Sequence, residues 1–223
     1  TNGALTATGT MRARAGSGSM AMTKGTTPVT HTPEFAYVTN QTANTVSTYT
    51  INSSTGTLTI IDLNLAVGCG PRTIAVDPTS PFAYVANSGP DIVSAYTINP
   101  VTGALTSAGA GGTENAPSSV TVDPSGRFAY AANSNSNTVS VFTIDQSSGV
   151  LTGVGPPVAT ETAPSSIAID PTGRFAYVAN SGSNSVSAYS INTSTGALTA
   201  GSAVLSGNVP RSIPVGPSGK FVY

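Results

Sequence analysis

The sequence predicts an all-β chain of repeated four-stranded units, and three observations carry that prediction. First, Phe-Ala-Tyr-Val-Ala-Asn-Ser-Gly stands at both 82–89 and 175–182, with variants from Phe35 and Phe128 and a fifth opening at Phe221. The Phe positions are 47, 46, 47 and 46 residues apart. Second, each repeat holds short alternating runs separated by turn clusters, as in β-sandwiches, barrels and related sheets. Third, no stretch shows helical periodicity. A period in the forties means that each unit buries its faces only against its neighbours. Four-stranded antiparallel units of this length fit a β-propeller, with four complete blades and a split or incomplete fifth. A β-solenoid is the rival, but its coils are shorter and need no turn signal after every strand.

In chain order, residues 1–10 match only an outer strand, through Gly3-Ala4-Leu5-Thr6. Residues 11–34 read as an irregular connection that contains the first inner strand at Met20 and Met22. Arg12 and Arg14 lie in it among Gly, Ala and Ser. Blades follow at 18–65, 70–109, 117–157 and 164–205, and residues 210–223 open a further one. The whole chain, 1–223, reads as one propeller domain.

The unit at 164–205 shows the logic best. Ser166-Ile167-Ala168-Ile169 alternates, then Asp170-Pro171-Thr172-Gly173 turns the chain. Asp bonds the backbone ahead of it, Pro presets φ, and Gly suits the last position of a type I turn. Phe175 to Asn180 is the second strand, Val186 to Ile191 the third, and Ala197-Leu198-Thr199 opens the fourth. The first-strand pair recurs as Ile74/Val76, Val120/Val122 and Ile213/Val215. Residues 82–106 and 175–199 share 19 of 25 positions, so the units obey one packing rule. The turn degenerates to Asp77-Pro78-Thr79-Ser80 in one unit.

Composition excludes several classes. The net charge is −1 and 8% of residues are charged, so no basic stripe exists to neutralise nucleic-acid phosphates. No apolar run reaches the roughly 18–20 residues of a membrane helix, and no signal peptide is visible. The chain starts at Thr1, which reads as a processed form or a portion of something longer. Ser, Thr, Asn and Gly dominate the polar positions, as in extracellular and cell-surface β proteins. Cys69 is the only cysteine, so an intrachain disulfide and a thiol-rich metal site are both excluded. Three glycosylation triplets, at Asn40, Asn52 and Asn192, are of a kind that arises by chance in a chain so rich in Ser and Thr.

FAYVTN at 35–40, FAYVAN at 82–87 and 175–180, and VSAYTIN at 93–99 resemble the YVTN-type propeller repeat. It is shared by lactonase-like propellers of the 6-phosphogluconolactonase type and by surface-layer propellers. The resemblance implies the fold. Its seven-bladed members are longer than this chain. Ring closure through a shared fifth blade, a larger parent propeller, and strand pairing with neighbouring copies are the three explanations for the partial terminal units.

The repeated Asp77, Asp123 and Asp170 occupy one turn position, and Asn40, Asn87, Asn133 and Asn180 one strand end, so both rings read as structural. The Tyr37, Tyr84, Tyr130 and Tyr177 ladder reads as packing between blades. No catalytic set, metal site or cofactor motif is placed. The candidate binding rim is Arg72, Glu114, Glu161 and Arg211, which stand just before successive first strands: two acids between two bases. The leading expectation is an extracellular or cell-surface scaffold without catalysis, since active sites need asymmetry between blades. Its partners would be proteins, copies of itself or a carbohydrate. The alternatives are a lactonase-like hydrolase, using Glu114, Glu161, Arg72, Arg211 and the sole histidine His31, and a homopolymer joined through its terminal units.

Overall fold

The computed structural model describes residues 17–22 and 34–223. The expected outer strand at 1–10, most of the 11–34 connection, Arg12, Arg14 and His31 lie outside those residues. Among the described residues there are seventeen strands and no helix. They form four antiparallel sheets, each built in sequence order, and the described residues form a β-propeller with four blades and the start of a fifth.

The first blade comprises β1 (Ser17–Met22), β2 (Phe35–Asn40), β3 (Thr45–Ile51) and β4 (Leu58–Ala66). The second comprises β5 (Pro71–Val76), β6 (Phe82–Asn87), β7 (Ile92–Ile98) and β8 (Leu105–Gly112). The third comprises β9 (Pro117–Val122), β10 (Phe128–Asn133) and β11 (Thr138–Ile144). Its outer edge is split into β12 (Leu151–Gly153) and β13 (Val158–Ala159), both paired to β11. Gly155-Pro156-Pro157 lies between them, and proline has no N–H to give a ladder. The fourth blade comprises β14 (Pro164–Ile169), β15 (Phe175–Asn180), β16 (Ser185–Ile191) and β17 (Leu198–Leu205). A single bridge, Val215 to Val222, begins a fifth.

Second strands read as buried on both faces, and β6 and β10 are buried at every residue. The reason is face-to-face stacking of blades. Phe35, Tyr37 and Val46 pack on Ile74, Ala83, Val85, Tyr96, Ile98 and Leu105 of the next blade. Equivalent cores join the second blade to the third and the third to the fourth. Each ladder tyrosine also reaches forward: Tyr37, Tyr84 and Tyr130 donate their hydroxyls to the carbonyls of Gly103, Gly149 and Gly196 at 2.8, 3.2 and 3.0 Å. Burial pushes the pKa of all three phenols well above the ordinary tyrosine value.

The asparagine ring clamps second to third strands within a blade. Asn40, Asn87, Asn133 and Asn180 donate from Nδ2 to the hydroxyls of Ser47, Ser94, Ser140 and Ser187, each at 2.8–2.9 Å. Asn40 is fully buried in that role, so the acceptor nitrogen of its glycosylation triplet is inside the blade.

Candidate functional site

The inner strands β1, β5, β9 and β14 stand side by side around the axis. Each of the last three begins with a β-bulge. Pro71 pairs with Asn87 but Thr73 with Ala86, which leaves Arg72 as the extra residue. Ser118 is the extra residue of β9 and Ser165 of β14 by the same shift. A bulge re-aims the side chain it carries, and these bulges aim theirs into one axial cleft. The cleft has a volume of about 560 Å³, and its lining includes Arg72, Ser118, Ser165 and Arg211 in blade order. Gln41, Ser134 and Ser181, each directly after a clamp asparagine, line it too.

The lip is held by a latch from the preceding blade. Asn44, Asp91, Asn137 and Asn184 sit at φ between 52° and 57° in the hairpins after the second strands. Their side-chain oxygens accept from the backbone N–H of Gly70, Ala116, Ala163 and Val209 at 2.7–2.8 Å. Ala116, Ala163 and Val209 are themselves left-handed, at φ 56°, 52° and 52°. That conformation costs an ordinary L-residue roughly 1–2 kcal/mol, and the latch bond offsets it.

Four of the seven serines in the described cleft lining already give away their protons. Ser118 Oγ donates toward the carbonyls of Ala132 and Pro164, at 3.1 and 2.7 Å, and Ser165 Oγ toward Ala179 and Pro210, at 3.1 and 2.7 Å. Ser134 and Ser181 donate to Ala116 and Ala163. The bonds to Pro164 and Pro210 tie each inner strand to the start of the next repeat, and no imidazole or carboxylate stands in the described lining to activate a serine as nucleophile. The arginines behave differently. Arg72 Nε makes one long bond to Ser88 Oγ, 3.4 Å, and Arg211 makes no hydrogen bond or ion pair with any described residue. Both guanidiniums are exposed at the cleft, and their forked donors match a carboxylate, a phosphate or a developing oxyanion.

Of the four rim residues expected from sequence, the structure brings Arg72 and Arg211 into one cleft. Glu114 and Glu161 are exposed and are not in its lining. Glu161 instead borders a separate hollow of about 200 Å³ with Thr160 and Tyr189. Sequence reasoning missed Ser118 and Ser165. Their one signal is position: like Arg72 and Arg211, each directly follows a proline. Among the described residues no group of acids, histidines and cysteines could hold a metal ion.

The family model for a seven-bladed β-propeller lactonase matches residues 1–113, 82–163 and 154–223. No curated protein sequence matches significantly. Among solved structures, a candidate 6-phosphogluconolactonase of Bacteroides uniformis is 19% identical with a TM-score of 0.72, over 85% of this chain and 55% of its own. A periplasmic gluconolactonase of Pseudomonas aeruginosa is 20% identical with a TM-score of 0.67, over 80% and 52%. The Kuenenia stuttgartiensis hydrazine synthase shares the fold at 22% identity and a TM-score of 0.68, over 96% and 57%. The chain thus spans little more than half the length of each. The expectation of a scaffold without catalysis is corrected by the family match and the gluconolactonase neighbours, which favour the lactonase alternative. That expectation took near-identical blades to mean a symmetric axis. The identity lies in packing positions, whereas the position after the inner-strand proline reads Arg, Ser, Ser, Arg.

Proposed function

The chain belongs to the seven-bladed β-propeller lactonase family, and from that premise we propose that it is part of a hydrolase that opens the ring ester of a sugar-acid lactone at the axial cleft. The observation that carries the proposal is the pair of weakly engaged guanidiniums, Arg72 and Arg211, in one hydroxyl-lined cleft. Lactone hydrolysis adds a water oxygen to the ester carbonyl, collects negative charge on the carbonyl oxygen, and then breaks the ring C–O bond. Preorganised cations aimed at that oxygen stabilise the charge as it develops. Ser118, Ser134, Ser165 and Ser181, whose protons are committed to neighbouring carbonyls, still present lone pairs to substrate hydroxyls. The described lining supplies orientation and charge stabilisation, and the water-activating group is sought among Glu161, Glu114 and His31.

The test is hydrolysis of δ-gluconolactone and of its 6-phosphate, followed by pH-stat above the spontaneous rate. Arg72→Ala and Arg211→Ala are each expected to lower kcat/KM by about 10²–10³-fold. Glu161→Gln and His31→Ala then identify the base by loss of kcat with KM kept. A folded chain that never exceeds the spontaneous rate on either lactone overturns the proposal.

A further inference from the structure

The hollow of about 200 Å³ beside Glu161 lies between the third and fourth blades, outside the axial cleft, and all its described walls belong to those two blades. Two interruptions open it. β13 ends the split outer edge of the third blade after two residues, and the chain then turns inward through Thr160 and Glu161. Opposite, β17 carries an extra residue: Ser187 pairs with Ala203 but Tyr189 with Ala200. At that bulge a Cβ on Gly201 would stand 3.0 Å from the Ala188 carbonyl oxygen. Apart from Thr160, Glu161, Ser187 and Tyr189, the lining is alanine and glycine, so nothing larger than a methyl group fills the rest of the space.

The oxygens in this lining have largely spent their protons. Tyr189, a buried side chain, donates its hydroxyl to the Ala159 carbonyl at 2.9 Å. Thr160 Oγ1 donates to Asn180 Oδ1 at 2.9 Å, with Ser187 Oγ at 3.3 Å. Ser187 Oγ also accepts the Asn180 clamp. What Tyr189 and Thr160 still offer is lone pairs. Burial pushes the pKa of the Tyr189 phenol up, the Thr160 and Ser187 hydroxyls oppose the rise, and the Glu161 charge adds to it. Glu161 is exposed and makes no hydrogen bond or ion pair with any described residue. The preceding interface is an internal control. Thr113 and Glu114 hold the places of Thr160 and Glu161, but Phe142 stands where the fourth blade has Tyr189. Its ring lies so close to Gly111 that a Cβ there would come within 2.9 Å of it. The acid recurs, but the phenol oxygen beside it does not.

We propose that this hollow binds a small primary amine as its ammonium ion. An ammonium group carries three donors and no acceptor, the complement of a carboxylate beside two hydroxyls whose protons are spent. Its bond to Glu161 is of the stronger, charge-assisted kind. The hollow is smaller than the roughly 300–1,000 Å³ of drug-sized sites, so the occupant is an ammonium group with a short aliphatic chain seated on the alanines. A quaternary ammonium has no N–H to give and is refused. The inference concerns a space outside the axial cleft and holds whether or not the chain hydrolyses lactones.

The experiment is a titration of the full, isotope-labelled 223-residue chain with n-butylammonium chloride at neutral pH and constant ionic strength, followed by amide chemical shifts. Saturable shifts are expected at Thr160, Glu161 and Tyr189, and none there with tetramethylammonium chloride. Glu161→Gln changes an exposed side chain that the fold does not use, and should weaken binding about 10-fold or more, the loss of a charged hydrogen-bond partner. Tyr189→Phe copies the residue that the third blade holds at this place, and should weaken binding about 2- to 10-fold. Asp145→Asn makes the same charge change at a turn where the other blades have Asn52, Asn99 and Asn192, and should leave binding unchanged. Absence of saturable shifts, or binding unaffected by Glu161→Gln or by Tyr189→Phe, overturns the proposal. So does an equal response to tetramethylammonium, or an equal loss in Asp145→Asn, since either would report net charge and not a built site.

Discussion

The second and fourth blades share most of their sequence and differ in what surrounds it. Phe82 lies sealed under Gly149, whereas its twin Phe175 is 42% exposed among the described residues. Tyr84 donates to a carbonyl, whereas Tyr177 donates to no described residue. At the turn the contrast reverses. Asp170 is fully used: Oδ2 accepts from the N–H and hydroxyl of Thr172, and Oδ1 from the N–H groups of Arg174 and Phe175 at 2.7 and 2.8 Å. Asp77 uses one oxygen on Thr79 and Ser80, and its Oδ2 is buried without a partner. The cause is two residues. Gly173 takes φ +70°, but Ser80 stands in its place, and Pro81 replaces Arg174 and has no N–H to give. The Phe82 N–H bonds the Ser80 carbonyl instead. Identical strands therefore do not guarantee identical energetics, because the neighbouring blade and the turn set them.

The widest gap between the two blades should appear at the phenylalanines. Phe82→Ala is expected to cost about 3–5 kcal/mol in urea unfolding, as for a sealed core aromatic, and Phe175→Ala about 1 kcal/mol. Equal costs would mean that the Phe175 ring is covered in solution.

The aspartates should diverge next, with opposite signs. Burial raises the pKa of Asp77 against the bonds from Thr79 and Ser80, and the Asp123 charge adds to the rise. A carboxyl whose folded pKa is raised stabilises at low pH and loses that contribution as pH climbs through the folded value. Asp77→Asn should therefore gain up to about 1 kcal/mol at pH 7, a gain that fades toward pH 4. For Asp170, burial is outweighed by the bonds from Thr172, Phe175 and Arg174, which hold its pKa below the usual range. Its contribution is present above the unfolded value and lost as pH falls. Asp170→Asn should cost about 1–2 kcal/mol at pH 7 and less in acid. Thermal melts of both variants across that window check the signs.

The smallest difference belongs to the hydroxyls. Tyr84→Phe should cost about 1 kcal/mol, and Tyr177→Phe close to nothing in the isolated chain. A cost at Tyr177 would reveal an acceptor already in place.

Much of the fold was legible because it is periodic. The phenylalanine spacing counted the blades, and Asp-Pro-x-Gly marked the inner turns. Arg72 and Arg211 stood out because they are charged residues just before successive first strands. The rest of the site was hidden by backbone events that no side chain announces. Ser118 and Ser165 reach the cleft through a one-residue register shift. Glu114 and Glu161 lie two residues before Ala116 and Ala163, whose left-handed turns are imposed by Asp91 and Asn137 of the preceding blade. Alanine carries no local preference for that conformation, so sequence spacing alone placed the acids beside the arginines.

The latch that imposes those turns has a direction. Every Asn44-type oxygen reaches forward by one blade, and none reaches back. The stack is therefore polar, like a row of hooks each engaging the next. A unit duplicated within such a row inherits a hook for its successor and a catch for its predecessor without a single existing bond being rewritten. Blade number can then drift through duplication while each lip of the axis keeps its shape, and new chemistry needs only a substitution at the one bulged position that faces the centre.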